Sequence, residues 1–134
     1  MPSIFTKIIN REIPAYIVAE DDSHIAFLDI NPLARGHALV VPKKETDYFF
    51  DLDDNEYIDL TLFAKKVANA IERVISCKRV GVAVVGLDVP HVHVHLIPLN
   101  SMDDMNFQKP KLALKEDEFK EIAYSIRKAY QALY

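Results

Sequence analysis

The sequence contains a single cysteine, Cys77, in 134 residues. One thiol cannot form an internal disulfide, so a disulfide-stapled fold is excluded and a reducing, cytoplasmic location is the simplest expectation. No hydrophobic run approaches the length of a membrane span, and the polar start of the chain does not resemble a secretory signal. We therefore expect no association with a membrane.

The chain also lacks an excess of basic residues, because its formal net charge is −4. Such a charge provides no electrostatic footprint for a nucleic-acid polymer, so a nucleic-acid-like ligand is expected to be small. No internal repeat, linker or low-complexity segment is visible. The length and ordinary globular composition predict a single domain over residues 1–134.

Hydrophobic spacing predicts three helices and five strands. Ser3 caps a short helix through about Arg11, and Asp53 or Asp54 begins a long helix that ends near Ile75. A third helix occupies the tail from Glu116. The predicted strands are Ala15–Glu20, His24–Leu28, His37–Val41, Val80–Val85 and His91–Leu99. Short sequential strands with helices between them predict an α+β fold on a five-stranded antiparallel sheet.

Three of the five histidines stand in one alternating run, His91-Val92-His93-Val94-His95. Side chains on an extended strand alternate between its two faces, so the three imidazoles should share one face while the valines occupy the other. His24 lies outside this run, and we expect it on the surface of its strand.

Two kinds of chemistry could use such a row. Imidazole is a common metal ligand, but same-face residues lie ~6.6 Å apart along a strand, so His91 and His95 cannot easily reach one ion. A neutral central imidazole can instead act as a nucleophile between two orienting neighbours. A strand that merely exposes histidines is the plainer alternative.

The sequence resembles the histidine-triad (HIT) superfamily, and in particular its nucleoside-phosphoramidate hydrolase (HINT-like) branch. The triad signature His-φ-His-φ-His-φ-φ, where φ is hydrophobic, is matched at every position by residues 91–97. Three further segments occur in the family's order. They are Ile4-Phe5-Thr6-Lys7-Ile8-Ile9, Phe27-Leu28-Asp29-Ile30-Asn31-Pro32, and Gly36-His37-Ala38-Leu39-Val40-Val41-Pro42-Lys43. The resemblance implies a HIT core over residues 3–100, with a long central helix, followed by a helical tail over 101–134.

The resemblance also implies a mechanism and its catalytic residues. His93 would attack the α-phosphorus of an AMP- or GMP-linked substrate and form a nucleotidyl-histidine that water hydrolyses. His91 would bond the phosphoryl oxygens, His95 would help to fix the imidazole array, and His37 would lie near the phosphate. On residue type alone, His37 fits a structural histidine equally well.

Further positions match the nucleotide-binding residues of the family. Asp29 would accept hydrogen bonds from the ribose hydroxyls, although a turn carboxylate before Pro32 is the plainer reading. Backbone N–H groups near Gly86 could add donors to the phosphate. The apolar slot for the purine would be formed by Ile4, Phe5, Ile8, Phe27 and Ile30, which could equally be core residues.

The sequence departs from the family pattern in three places. The loop before the triad is shortened to Gly86-Leu87-Asp88-Val89-Pro90, with Asp88 at the position of a family serine. Asp88 is either a proton donor to the leaving group, a group that orients the histidines, or a cap of the turn. Ser3, Thr6 and Glu45 stand where many bacterial members carry zinc ligands, so we expect no metal and no other cofactor. The Glu116–Leu133 helix replaces the family's short specificity tail.

These features predict a hydrolase or transferase that cleaves P–N or P–O bonds at a purine nucleoside monophosphate. The alternatives are a diadenosine-polyphosphate hydrolase, a nucleotide-binding regulatory protein with slow turnover, and, more weakly, a metal-dependent hydrolase. The resemblance also implies a two-fold homodimer.

Overall fold

The computed structural model describes residues 1–134 and contains one five-stranded antiparallel sheet in the order β1-β2-β3-β5-β4. The strands are β1 (Ile17–Glu20), β2 (His24–Leu28), β3 (Ala38–Pro42), β4 (Arg79–Ala83) and β5 (Val94–Leu99). The helices are α1 (Ile4–Ile9), α2 (Asp54–Val74) and α3 (Glu116–Leu133), and 3₁₀ turns cover Phe49–Asp51 and Met102–Met105. The predicted α+β fold is confirmed, and no helix is long and apolar enough to cross a membrane.

The helices begin where polar side chains satisfy their free N–H groups. Ser3 Oγ accepts the Thr6 N–H at the start of α1. Asp53 accepts the Glu56 N–H, while the Glu56 side chain accepts the Asp53 N–H, which makes a capping box at the start of α2. These caps fix the direction in which each helix leaves the preceding loop.

The sheet buries both faces. On one face the alternate residues of β2, β3 and β5 pack under α2 and α3 in a cluster of 20 buried residues. Val92, Val94 and Leu96 belong to this cluster, as the alternation predicted. On the other face α1 covers a smaller cluster of Phe5, Ile8, Ile25, Phe27, Leu39 and Val41. The imidazoles at positions 91, 93 and 95 lie on the α1 side of the sheet, since they alternate with the residues of the first cluster.

Among the expectations that differ from the structure, two concern histidines. β1, β4 and α1 differ from their predicted bounds by one to two residues at their ends. The strand that carries the triad begins at Val94 rather than His91, because β3 pairs with β5 only as far as the Val40–Val94 position. His24 is buried, not exposed, and only 6% of its surface is accessible. Its ring stacks on Phe63 of α2 with centroids 5.1 Å apart, and Nδ1 lies 3.0 Å from Asp21 Oδ1. Sequence alternation could not show that α2 covers this end of β2.

Candidate active site

A cavity of about 750 Å³ opens on the α1 side of the sheet, next to the histidine row. This size lies within the range of small-molecule sites. Its walls include Ile4, Phe5, Ile8, Phe27, Asp29, Ile30, Gly86, Asp88, His93 and His95, all of which the sequence singled out. Of the predicted site residues, only His91 and His37 do not line it.

His93 is held in the tautomer that leaves a free lone pair. Its Nδ1 lies 2.7 Å from the carbonyl oxygen of His91. Because a carbonyl oxygen only accepts, Nδ1 must carry the proton and donate it. In the neutral ring Nε2 is then unprotonated. The edge of the Phe5 ring packs against His93, with centroids 5.0 Å apart, and limits the ring's rotation.

The ring of His91 lies behind the cavity and is fully buried. Nε2 donates to the carbonyl oxygen of Pro42 at 2.7 Å, and Nδ1 lies 2.7 Å from Ser3 Oγ. Burial lowers the pKa of His91, although Pro42 and Glu45 oppose this effect. The expectation that His91 bonds a phosphoryl oxygen does not fit this geometry, because both ring nitrogens already have partners within the protein.

His37 and His95 form a second connected pair. The N–H of Leu33 donates to His37 Nδ1 at 3.0 Å, so the proton of the neutral His37 ring is on Nε2. Nε2 lies 3.0 Å from His95 Nδ1 and donates to it. The proton of His95 is therefore on Nε2, which makes this buried ring, rather than His91, a hydrogen-bond donor beside the cavity.

The surroundings keep both rings neutral. Burial lowers the pKa of His37 to about 3, helped by the nearby His95 and Lys111. Burial lowers the pKa of His95 to about 4, helped by His93 and opposed by Asp88. The hydrogen-bond directions derived for neutral rings therefore hold at neutral pH.

Asp29, His37 and His95 offer ligand atoms within 4.8 Å of one another, a spacing that a metal ion could use. The Leu33 N–H argues against such a site. It places the proton of neutral His37 on Nε2, the atom that would have to bind the ion with a lone pair. A hydrogen bond to His95 accounts for the same short distance.

Asp29 makes a turn contact and also lines the cavity. Its Oδ1 accepts the backbone N–H of Asn31 at 2.8 Å, which is the turn role. Its Oδ2 lies 3.6 Å from His37 Nε2 at the wall of the cavity. Burial raises the pKa of Asp29, although the Asn31 N–H, His93 and Lys111 oppose the rise. One carboxylate oxygen is thus fixed and the other is available to a ligand.

The shortened loop forms the mouth of the cavity. Gly86 has φ 76°, a backbone conformation that suits glycine. Asp88 lines the cavity and is exposed. Leu87 is 88% exposed and can contact a ligand only at the mouth.

Sequence reasoning missed one wall of the cavity. Phe107 and Lys111, from the segment after the second 3₁₀ turn, line it. The edge of the Phe107 ring packs on His95, with centroids 4.9 Å apart. Leu112 donates its N–H to the Pro32 carbonyl at 2.9 Å, which ties the segment to the loop after β2. A lone aromatic residue in a polar stretch gave no periodic signal from which this wall could be predicted.

Known proteins share this architecture. A family model described as "HIT domain" matches residues 10–102. The chain belongs to the HIT domain family. An uncharacterized HIT-like protein of Borreliella burgdorferi is 40% identical over 131 residues, covering 92% of this chain and 94% of that protein. The adenosine 5'-monophosphoramidase hnt1 of Schizosaccharomyces pombe is 34% identical over 129 residues, covering 94% and 96%.

A solved structure extends the likeness to three dimensions. The crystal structure of a Hit-like protein from Bartonella henselae, described as involved in cell-cycle regulation, superposes with a TM-score of 0.81. It is 32% identical and covers 95% of each chain. The match therefore includes α3, which lies beyond the residues that the family model covers.

Proposed function

We propose that this HIT protein hydrolyses purine nucleoside phosphoramidates, or related nucleoside monophosphate conjugates, through a covalent intermediate on His93. One observation carries the proposal: His93 donates Nδ1–H to a backbone carbonyl, so its lone pair on Nε2 is free beside a ligand-sized cavity. The phosphoramidase name of the Schizosaccharomyces pombe relative supports the same class of substrate.

The reaction would take two displacements at phosphorus. In the first, Nε2 of His93 forms a bond to the α-phosphorus as the bond to the leaving amine breaks, and the amine takes up a proton from solvent water at the mouth of the cavity. The modified imidazole carries positive charge, which the His91 carbonyl stabilises through Nδ1–H. In the second, water attacks the phosphorus and gives up a proton to solvent, the bond to Nε2 breaks, and the nucleoside monophosphate leaves the neutral imidazole.

The neighbouring groups have distinct parts in this scheme. His95 would donate its Nε2–H to a phosphoryl oxygen, and His37 would fix the tautomer of His95. The free oxygen of Asp29 would accept a ribose hydroxyl. The apolar residues that cover the cavity, Phe5 and Phe27 among them, would enclose the purine.

The decisive experiment compares wild type with His93→Ala. We expect the variant to lose turnover of adenosine phosphoramidate while its affinity for AMP stays within about twofold, since His93 contributes little to uniform binding. Quenching the wild-type reaction should leave a nucleotidyl adduct that peptide mapping assigns to His93. An active alanine variant, or an adduct on another residue, would contradict the proposal.

The rival functions separate in the same assay. A diadenosine polyphosphate supplied at equal concentration tests the P–O alternative. Slow turnover of adenosine phosphoramidate by a protein that still binds AMP would favour the regulatory alternative. Assays in excess chelator test metal dependence, and we expect no loss of rate because the tautomer of His37 disfavours a metal ligand.

We also propose that two copies associate through β4 and α2. β4 is an edge strand whose outer backbone groups are unpaired, and Val82 on it is 64% exposed. Ile58 and Leu62, one helical turn apart on α2, are 51% and 53% exposed. In a two-fold dimer, each of these apolar surfaces would pack against the same surface of the second subunit. Sedimentation should report a dimer for wild type and a monomer for Leu62→Glu, with Tyr124→Glu on the outer side of α3 as the control.

A further inference from the structure

A polar cluster, buried at Ser3 and His91 and exposed at Glu45, joins α1 to the histidine row outside the cavity. It consists of Ser3, Thr6, Glu45 and His91. Ser3 Oγ lies 2.7 Å from His91 Nδ1, and Thr6 Oγ1 lies 2.7 Å from Glu45 Oε1. The same carboxylate oxygen accepts the backbone N–H of Ser3 at 2.8 Å. Ser3 is 7% exposed and His91 is fully buried.

The direction of each hydrogen bond follows from its neighbours. His91 Nε2 must donate to the Pro42 carbonyl, so Nδ1 of the neutral ring is an acceptor. Ser3 Oγ accepts the Thr6 N–H and gives its single hydroxyl proton to Nδ1. Thr6 Oγ1 gives its proton to Glu45, because a carboxylate only accepts. The cluster has no unsatisfied buried polar atom.

These donors do not fit a zinc site. Zinc in proteins is bound by thiolate, imidazole or carboxylate, and two of the three positions here carry neutral hydroxyls whose protons are engaged elsewhere. Glu45 Oε1 lies 3.9 Å from His91 Nδ1, with the Ser3 hydroxyl donating to that nitrogen at 2.7 Å. The cluster is a hydrogen-bond network whose buried polar atoms are all satisfied by one another and by the backbone.

The network ends at the nucleophile. His91 is held at both ring nitrogens, so its backbone is held as well, and its carbonyl oxygen accepts Nδ1–H of His93 at 2.7 Å. A displaced carbonyl would release that proton and allow the tautomer with Nε2–H, which has no lone pair toward the cavity. The carboxylate of Glu45 is thereby connected to Nδ1 of His93 through Thr6, Ser3 and His91.

We propose that Ser3, Thr6 and Glu45 are positioning residues that set the tautomer of His93 by clamping His91. This inference rests on the proposed function of His93 as nucleophile. The clamp also fixes α1, which forms one wall of the cavity, so a single network would position both the nucleophile and the base pocket.

The first test observes the tautomers directly. Long-range ¹H–¹⁵N correlation spectra should show Nε2–H for His91 and Nδ1–H for His93 in wild type. In Ser3→Ala we expect His93 to become a mixture of tautomers. Ser3→Thr, which keeps the hydroxyl, should restore the wild-type pattern. Asp53→Ala is the matched control, because it removes a helix N-cap of the same kind without touching the network.

The second test is kinetic. For adenosine phosphoramidate, we expect Ser3→Ala to lower kcat about tenfold, the worth of one buried hydrogen bond, with AMP affinity changed less than about twofold. Ser3→Thr should recover most of the rate. Asp53→Ala should lose similar thermal stability and keep its kcat. Glu45→Ala gives a second route if Ser3→Ala folds poorly, because the Glu45 side chain is 39% exposed.

The outcomes separate this inference from the function on which it rests. If Ser3→Ala and Glu45→Ala keep the His93 tautomer and lose only stability, as Asp53→Ala does, the positioning role is wrong even though hydrolysis persists. If wild type hydrolyses nothing, the proposed function fails, and the spectra alone decide whether the clamp sets the tautomer.

Discussion

At the scale of single residues, the structure gives different hydrogen-bond partners to histidines that look alike in the sequence. Alternation predicts that His91, His93 and His95 share a face, and they do. Their hydrogen-bond partners differ. Those of His91 and His93 are a serine 88 residues away and backbone carbonyls, and that of His95 is the ring of His37. Backbone acceptors carry no sequence signal, so the inward-facing role of His91 could not be predicted from the triad motif.

Asp29 provides a residue-scale test of how the sugar is recognised. If its free oxygen accepts a ribose hydroxyl, Asp29→Ala should weaken AMP binding by about 1.5–3 kcal/mol, the usual worth of a hydrogen bond to a charged group. Binding of 2′-deoxy-AMP should change much less. Calorimetric titration of both nucleotides measures the difference, with Asp22→Ala, an exposed turn acid, as the control. Equal affinity of wild type for the two nucleotides would show that Asp29 does not read the ribose.

At the scale of elements, the periodic segments were predictable and the irregular ones were not. The predicted α2 ended within about one residue of its observed bounds, because a capping box and a long apolar stripe mark it. α1 ends earlier than predicted, at Ile9, and Arg11 adopts φ 64° as the chain leaves the helix. The wall formed by Phe107 and Lys111 depends on where a segment without regular hydrophobic spacing packs against the sheet. Local sequence spacing does not predict that position.

This wall predicts an effect of the C-terminal segment on binding. Phe107→Ala should weaken AMP affinity by about 0.5–1.5 kcal/mol, because it removes the edge contact that packs the segment on His95. Global stability should change little, since the ring is only half-buried. Phe50→Ala, which removes an aromatic ring that is 70% exposed and does not line the cavity, should leave affinity unchanged. If Phe107→Ala binds AMP as wild type does, the segment is not part of the nucleotide site.

At the scale of the whole molecule, the fold holds several histidines neutral in its interior. His37, His91 and His95 lie at the junction of α1, β3 and β5, and burial lowers the pKa of each. The same burial that keeps the rings neutral means that the folded state binds fewer protons than the unfolded chain as the pH falls. The sequence predicted the row of rings but not its depth, because the residues that cover it come from α1 and from the segment at Phe107.

This difference in proton binding makes the free energy of unfolding depend on pH. The unfolded chain binds protons on His37 and His95 below a pKa of 6.5, whereas the folded chain does so only near pH 3 and 4. Stability is therefore fully present above pH 6.5 and falls as the pH drops toward 4. At pH 5 the loss should be about 2 kcal/mol for each ring, a value set by the unfolded pKa.

Carboxylates such as Glu20 lose their contribution only at lower pH. Burial opposes the shift, but the bonds to Lys43 and Arg11 lower the pKa of Glu20 in the fold. Urea unfolding at pH 7 and pH 5 measures how the free energy of unfolding changes with pH. His37→Gln should reduce this change by the contribution of one histidine. A wild-type change retained in His37→Gln would mean that His37 is not held neutral by the fold.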